Sequence, residues 1–193
     1  VKDKPILSFM ASENGTAARS VIGAINNGRV DAEIGVVITN NANAPIVPWC
    51  EKNAVPIKII SRLTNPDDED EELTRQLKEC ETTWVILSGY RKKIHGNMIK
   101  AFDHRILNIH PSMLPNHGGM FGDDIHQSVL DSGDKWTGIT IHIVNEEYDK
   151  GPIVAQTKVP VSNADSVRSL GDRVRSREPE FYITVIQEVL GQS

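Results

Sequence analysis

The 193-residue sequence predicts an α/β protein with a Rossmann-like sheet, mostly parallel and turning antiparallel toward the C-terminus, with helices on both faces. Three observations carry that expectation. Short apolar runs at residues 5–10, 33–38, 57–60 and 84–87 alternate with helical stretches through the first half of the chain. The links between them are short, which favours strand–helix–strand crossovers and hence a parallel sheet. Residues 137–144 and 153–161 are two further strand-like runs with only a polar loop between them, too little chain for a crossover, so they pair antiparallel.

Taken in order, residues 5–10 form the first strand, and a glycine-containing loop leads into a helix over residues 17–27. Ala18, Val21, Ile22 and Ile25 recur at helical spacing there, and Asn27 with Gly28 signals its end. A second helix opens at Pro45, carries Trp49 and ends near Asn53. The acidic run at residues 65–72 reads as a helix start, because carboxylates favour the positive end of a helix dipole and Leu73 and Leu77 continue the apolar stripe. A short helix is expected near residues 97–101, and another from Asp123 to Ser132, closed by Gly133. The last helical pattern runs from Ser166 to Leu190, and Pro179 should kink or break it beside Arg175 and Glu178. No repeat, low-complexity tract or linker divides the chain, so one domain spanning residues 1–193 is expected.

The composition narrows the function classes. Charged residues make up 24% and the net charge is −5, so no electrostatic footprint for nucleic acid or an anionic membrane is present. No apolar run approaches the roughly 20 residues that span a bilayer. The N-terminal residues lack a signal-peptide pattern, and Cys50 and Cys80 lack CxxC spacing and read as reduced, core-facing thiols, so a cytoplasmic protein is expected. The six histidines form no ligand cluster in sequence, and no metal is expected. Apart from His110, each is read as structural or surface.

The chemistry-bearing stretch is residues 105–115. It reads as a short buried strand stopped by Pro111, which cannot donate to a ladder and biases His110 toward extended backbone. Residues two apart on a strand share a face, so Asn108 and His110 sit side by side at the C-terminal end of the strand, the edge where open α/β sheets bind ligands. Spacing alone favours the plainer reading, a satisfied edge histidine beside a turn asparagine.

Residues 108–115, NIHPSMLP, and residues 148–156, YDKGPIVAQ, together resemble the two signature motifs of the folate-dependent formyltransferases. The resemblance runs from Ile6 to about Leu190. It implies the Rossmann-like formyltransferase fold and transfer of a formyl group from the co-substrate 10-formyltetrahydrofolate to the amine of glycinamide ribonucleotide. Asn108, His110 and Asp149 match the family's catalytic trio. Asn108 would supply an oxyanion donor, His110 would support charge or carry the proton, and Asp149 would orient the imidazole.

The same resemblance assigns Asn14, Gly15, Thr16 and Ala17 to the loop that holds the acceptor's phosphate. It gives Arg175 to that phosphate and Glu178 to the substrate's amino group. Tyr90, Arg91, Lys92, Lys93 and Ile94 would line the folate pocket, with Asn145, Glu146, Glu147 and Tyr148 closing its other side, and the basic trio could meet the folate's glutamate tail. The acceptor half is thus expected in about residues 1–100 and the folate and catalytic half in about residues 88–193. Glu13 stands where the family commonly has glycine and Ala17 where it commonly has asparagine; Asp70 falls loosely where some relatives carry an arginine. An amino-sugar nucleotide acceptor, or a folate- or nucleotide-binding protein without catalysis, stays open at this point. Partners are expected to be small molecules, with the chain a monomer or homodimer.

Overall fold

The computed structural model describes residues 4–61 and 66–191. The N-terminal residues 1–3 and Asn65, the first residue of the acidic run, lie outside them. Strands β1 (Ile6–Met10), β2 (Glu33–Thr39), β3 (Ile57–Ile59), β4 (Trp84–Leu87) and β5 (Ile106–His110) alternate with α1 (Thr16–Asn26), α2 (Ile46–Lys52), α3 (Pro66–Glu79) and α4 (Gly96–Ala101). Then come α5 (Asp123–Asp131), β6 (Trp136–Ile143), β7 (Ile153–Pro160), α6 (Val167–Arg175) and α7 (Glu178–Val189). Among the described residues the strands form one seven-stranded sheet in the order β3-β2-β1-β4-β5-β6-β7. Strands β1 to β5 run parallel, and β6 is antiparallel to both β5 and β7. The expected fold class is the observed one.

The interior strands are apolar on both faces, as parallel strands under two helical layers must be. Leu7, Phe9, Val37, Ile86 and Leu107 enter one core, which α1, α2, α5, α6 and α7 close. Met10, Val36, Ile38, Val85 and Ile106 enter the other, against Leu73 and Leu77 of α3 and Met98 of α4. Each fully buried aliphatic or aromatic side chain contributes about 1.5–3 kcal/mol, so the two-sided burial of β1, β2 and β4 makes them the stable centre on which the loops are mounted.

Local signals explain the ends of the elements. Gly15 precedes α1 at φ +55, and a Cβ there would fall 2.5 Å from Ile46 Cδ1, so glycine is required by conformation and by space. Ser166 and Ser169 exchange side-chain bonds to each other's backbone N–H, a capping box that starts α6. The long C-terminal pattern divides at Ser176 and Arg177, and Pro179 sits in the first turn of α7, where its missing N–H costs nothing. Asp70 is buried, and its carboxylate accepts the backbone N–H groups of Asn97 and Met98, so it caps α4. Cys80 is partly buried and packs against the second core, and Cys50 is fully buried with its thiol pushed up to about 11, chiefly by burial.

The loop after β6 is held tightly. Ile143 N–H donates to Pro152 O at 2.9 Å, and a Cβ on Gly151 would fall 1.7 Å from Ile143 O. Gly151→Ala should therefore force residues 144–151 off the end of β6 and cost at least about 1–3 kcal/mol, the usual range for overpacking. Urea unfolding would show it, and an unchanged midpoint would mean that the loop relaxes freely.

Candidate active site

The chain leaves β1 toward β2 on one side and returns from β3 to β4 on the other. The C-terminal ends of β1 and β4 are therefore the topological switch point, where an open α/β sheet leaves a crevice. A cleft of about 320 Å³ opens there. Its walls are residues 13–17 after β1, 87–94 after β4, 108–111 at the end of β5, 120–122 before α5, and 144–149 after β6, with Arg175 and Glu178 from α6 and α7. Every site residue expected from the sequence lines this cleft: Asn108, His110 and Asp149; Asn14, Gly15, Thr16, Ala17, Arg175 and Glu178; Tyr90 through Ile94; and Asn145 through Tyr148.

Register explains the centre. Asn108 pairs with His142 and His110 with Thr140 across the antiparallel β5–β6 ladder, so all four side chains share one face. His142 Nδ1–H donates to Ile143 O at 3.0 Å, and its Nε2 accepts an N–H from Asn108 Nδ2 at 3.1 Å. That leaves the second amide N–H of Asn108 for the cleft. His110 Nε2–H donates to His117 O at 3.1 Å, so Nδ1 is the nitrogen left to accept a proton, and it faces Asp149 Oδ2 at 3.4 Å. Asp149 also accepts Gly119 N–H at 2.8 Å and places Oδ1 3.4 Å from His142 Nε2. One carboxylate thus addresses two imidazoles.

Electrostatics follows from these contacts. Burial pushes the His110 imidazole below its ordinary value, although Asp149 and the His117 carbonyl favour its charged form. Burial pushes Asp149 the opposite way, but the facing His142, the His110 charge and the Gly119 N–H outweigh it, and its carboxyl stays below its ordinary value. Glu178 is raised by burial, with Arg175 opposing. A site with a neutral imidazole base, a paired carboxylate and an oriented amide N–H can bind a carbonyl, stabilise charge on its oxygen and move a proton between two nitrogens.

Strand β6 and the turns at residues 111–116 hold this geometry. Thr140 Oγ1–H donates to Ser112 O at 2.7 Å and accepts Leu114 N–H at 3.1 Å, while Gln156 Nε2 donates to Leu114 O at 2.9 Å. His117, read as structural or surface, is bonded to Ser128 Oγ at 2.8 Å and Asp134 Oδ2 at 2.9 Å and so fixes the loop whose carbonyl meets His110. His142 and His126, read the same way, line the cleft instead. For His142 the missing signal was the β5–β6 pairing, which the two-residue alternation of Asn108 with His110 and Thr140 with His142 could have supplied.

The basic trio is not a free cationic patch. Arg91 Nη1 pairs with Glu13 Oε1 at 3.3 Å, and Lys92 Nζ lies 2.5 Å from Glu69 Oε2. Arg91 N–H also donates to Ser12 Oγ and Ser12 N–H to Gly89 O, so the loops after β1 and β4 are stitched together. Of the three, only Lys93 makes no ion pair within 4.0 Å among the described residues. At the mouth, Phe121 and Tyr148 meet edge to face with centroids 5.9 Å apart. Among the described residues no group of three or more His, Cys, Asp or Glu is arranged to hold a metal ion.

The sequence profile of the family described as "Formyl transferase" matches residues 6–186. The chain belongs to the formyl transferase family. It is 34% identical over 185 residues to the phosphoribosylglycinamide formyltransferase, chloroplastic, of Arabidopsis thaliana, covering 93% of this chain and 63% of that protein. The chain therefore spans less than two thirds of the plant protein's length. It is 32% identical to the phosphoribosylglycinamide formyltransferase of Haemophilus influenzae over 94% of this chain and 85% of that one. The crystal structure of glycinamide ribonucleotide transformylase 1 from Symbiobacterium toebii superposes with a TM-score of 0.92 at 29% identity, covering 97% of this chain and 88% of that one. In this chain the two motifs fall at the C-terminal end of β5 and across the β6–β7 turn into the first half of β7. No helix among the described residues is long and apolar enough to cross a membrane.

Proposed function

We propose that this formyl transferase moves a formyl group from 10-formyltetrahydrofolate to the primary amine of glycinamide ribonucleotide. The observation that carries the reading is the convergence of Asn108, His110 and Asp149 on one cleft, between the loop after β1 and the loop after β4. The relatives' names supply the acceptor, and the family resemblance supplies the donor.

In this reading the folate lies against residues 90–94 and 145–148, under Phe121 and Tyr148, and presents its formyl group to Asn108. The neutral amine of the acceptor attacks the formyl carbon. Its oxygen gains negative charge, which the free N–H of Asn108 stabilises. His110 takes a proton from the attacking nitrogen at Nδ1 and passes it to N10 of the folate, with Asp149 supporting the transient imidazolium. The bond from N10 to the formyl carbon then breaks, giving tetrahydrofolate and the formylated amine. Glu178 holds the amine before attack. Residues 14–17 and Arg175 hold the phosphate, using the N–H groups at the start of α1 and the guanidinium. Glu13 does not oppose this arrangement directly, because Arg91 pairs with it.

The test is turnover. Purified protein with both substrates should release tetrahydrofolate and form the formylated amine, and omission of either substrate should stop both. Folate binding without turnover would redirect the search to amino-sugar nucleotides or to a non-catalytic role. Absence of folate binding would sink the reading altogether.

A further inference from the structure

We propose that His126 is a ligand of the acceptor's phosphate, holding that oxyanion together with Arg175. The proposal rests on the acceptor reading above and adds a residue to it. His126 belongs to α5 and is 2% exposed, yet its ring lines the cleft. Its Nδ1 is buried without a hydrogen-bond partner among the described residues. Buried polar side chains are nearly always bonded, and one left without a partner costs stability. An imidazole maintained in that condition at the edge of a cleft is suited to a partner that arrives with the ligand.

The neighbouring helix shows what kind of partner. Gly171 of α6 faces the ring: a Cβ there would fall 2.9 Å from His126 Cδ2 and 2.9 Å from Arg175 Nη1. Glycine therefore leaves room on this side of α6 for the guanidinium and the imidazole edge together. Two groups able to carry positive charge, placed side by side, make an oxyanion site. The groups facing His126 come from several elements. Arg175 on α6 and His110 on β5 disfavour its charged form, Asp123 at the start of α5 favours it, and burial is the largest influence, lowering it overall. Glu178 of α7 lines the same cleft. Arg175 itself is held by Asp172 at 2.7 Å, with Asp123 3.8 Å away. Burial and the neighbouring Arg175 thus disfavour a second proton on the imidazole in the unliganded protein. A phosphate supplies both the missing acceptor and the charge that favours a second proton, so binding should take up protons near neutral pH.

A plain packing role between α5 and α6 makes different predictions. The variants are His126→Leu, which keeps volume and removes both nitrogens, and His126→Gln, which keeps a donor. The substrates are glycinamide ribonucleotide and the same amine lacking its phosphate, with inorganic phosphate as a separate probe by calorimetry in two buffers of different ionisation heat. For His126→Leu the KM of the phosphorylated amine should rise about tenfold or more, the scale of a lost charge-assisted hydrogen bond. The KM of the amine without phosphate and the KM of the folate should stay unchanged, with His126→Gln intermediate. Phosphate binding to the native protein should take up protons, and His126→Leu should weaken it and abolish the uptake. Equal KM values for the phosphorylated amine in native protein and His126→Leu, or an equal rise for both amines, would overturn the proposal. So would phosphate binding that does not depend on His126, or none to the native protein. The phosphate measurement needs no turnover, so a failure of the acceptor reading is distinguishable from a failure of His126.

Discussion

Replacing His110 with alanine should lower kcat by about 10²- to 10⁴-fold, the usual share of a positioned general acid–base. The KM for the folate should hardly change. The reason is geometric. His110 is the group whose free nitrogen, Nδ1, is backed by a carboxylate at 3.4 Å while its other nitrogen is committed to the His117 carbonyl. His142 faces the same carboxylate at 3.4 Å and also has one nitrogen bonded to a backbone carbonyl, but its Nε2 is already taken by the Asn108 amide. The ring is nearly enclosed, so alanine leaves a cavity, and a thermal melt must show that the fold survives at the assay temperature. Single-turnover kinetics at saturating substrates separate the chemical step from binding. A variant that folds and turns over at the native rate would remove His110 from the proposed proton path. A variant that loses only folate affinity would recast it as a pocket wall.

Legibility differed between the fold and the site. The strand–helix alternation and the split of the C-terminal helix at Pro179 follow from local physics, because apolar periodicity, glycine and proline act within a few residues. Asn108 beside His110 was likewise readable, since two-residue alternation is local. What was not readable depends on pairing distant segments. His142 joins Asn108 only through the β5–β6 register, 34 residues away in sequence. Arg91 and Lys92 looked like free cations for a folate tail, and their partners Glu13 and Glu69 come from elements placed beside them only by the sheet order. Asp70 looked like one more charge in an acidic run, and its role as the cap of α4 needs α3 and α4 to pack together. Charge in a sequence is visible; whether it is already spent is a tertiary property.

Asp149→Asn is the companion expectation, and it tests the two-imidazole arrangement directly. Asparagine keeps the size of the side chain and an oxygen for the Gly119 N–H, which Asp149 now accepts at 2.8 Å. It removes the charge that faces His110 and His142. Without that charge the transient imidazolium at His110 loses its counter-ion, and kcat should fall about 100-fold or more, within the range for groups that serve acid–base steps. The pH dependence carries a sign. Activity needs His110 neutral as the base, so it is lost as pH falls through the His110 value. Asp149 now favours the charged ring, opposing burial. In Asp149→Asn that value drops further, and the acid limb of kcat against pH moves to lower pH. Stability responds in the opposite sense. The folded Asp149 carboxyl lies below its unfolded value, so its contribution is present above the ordinary carboxylate range and is lost as pH falls through the folded value. Asp149→Asn should remove that part of the acid sensitivity of unfolding. An acid limb that stays in place, or moves to higher pH, would mean that Asp149 does not set the charge of His110.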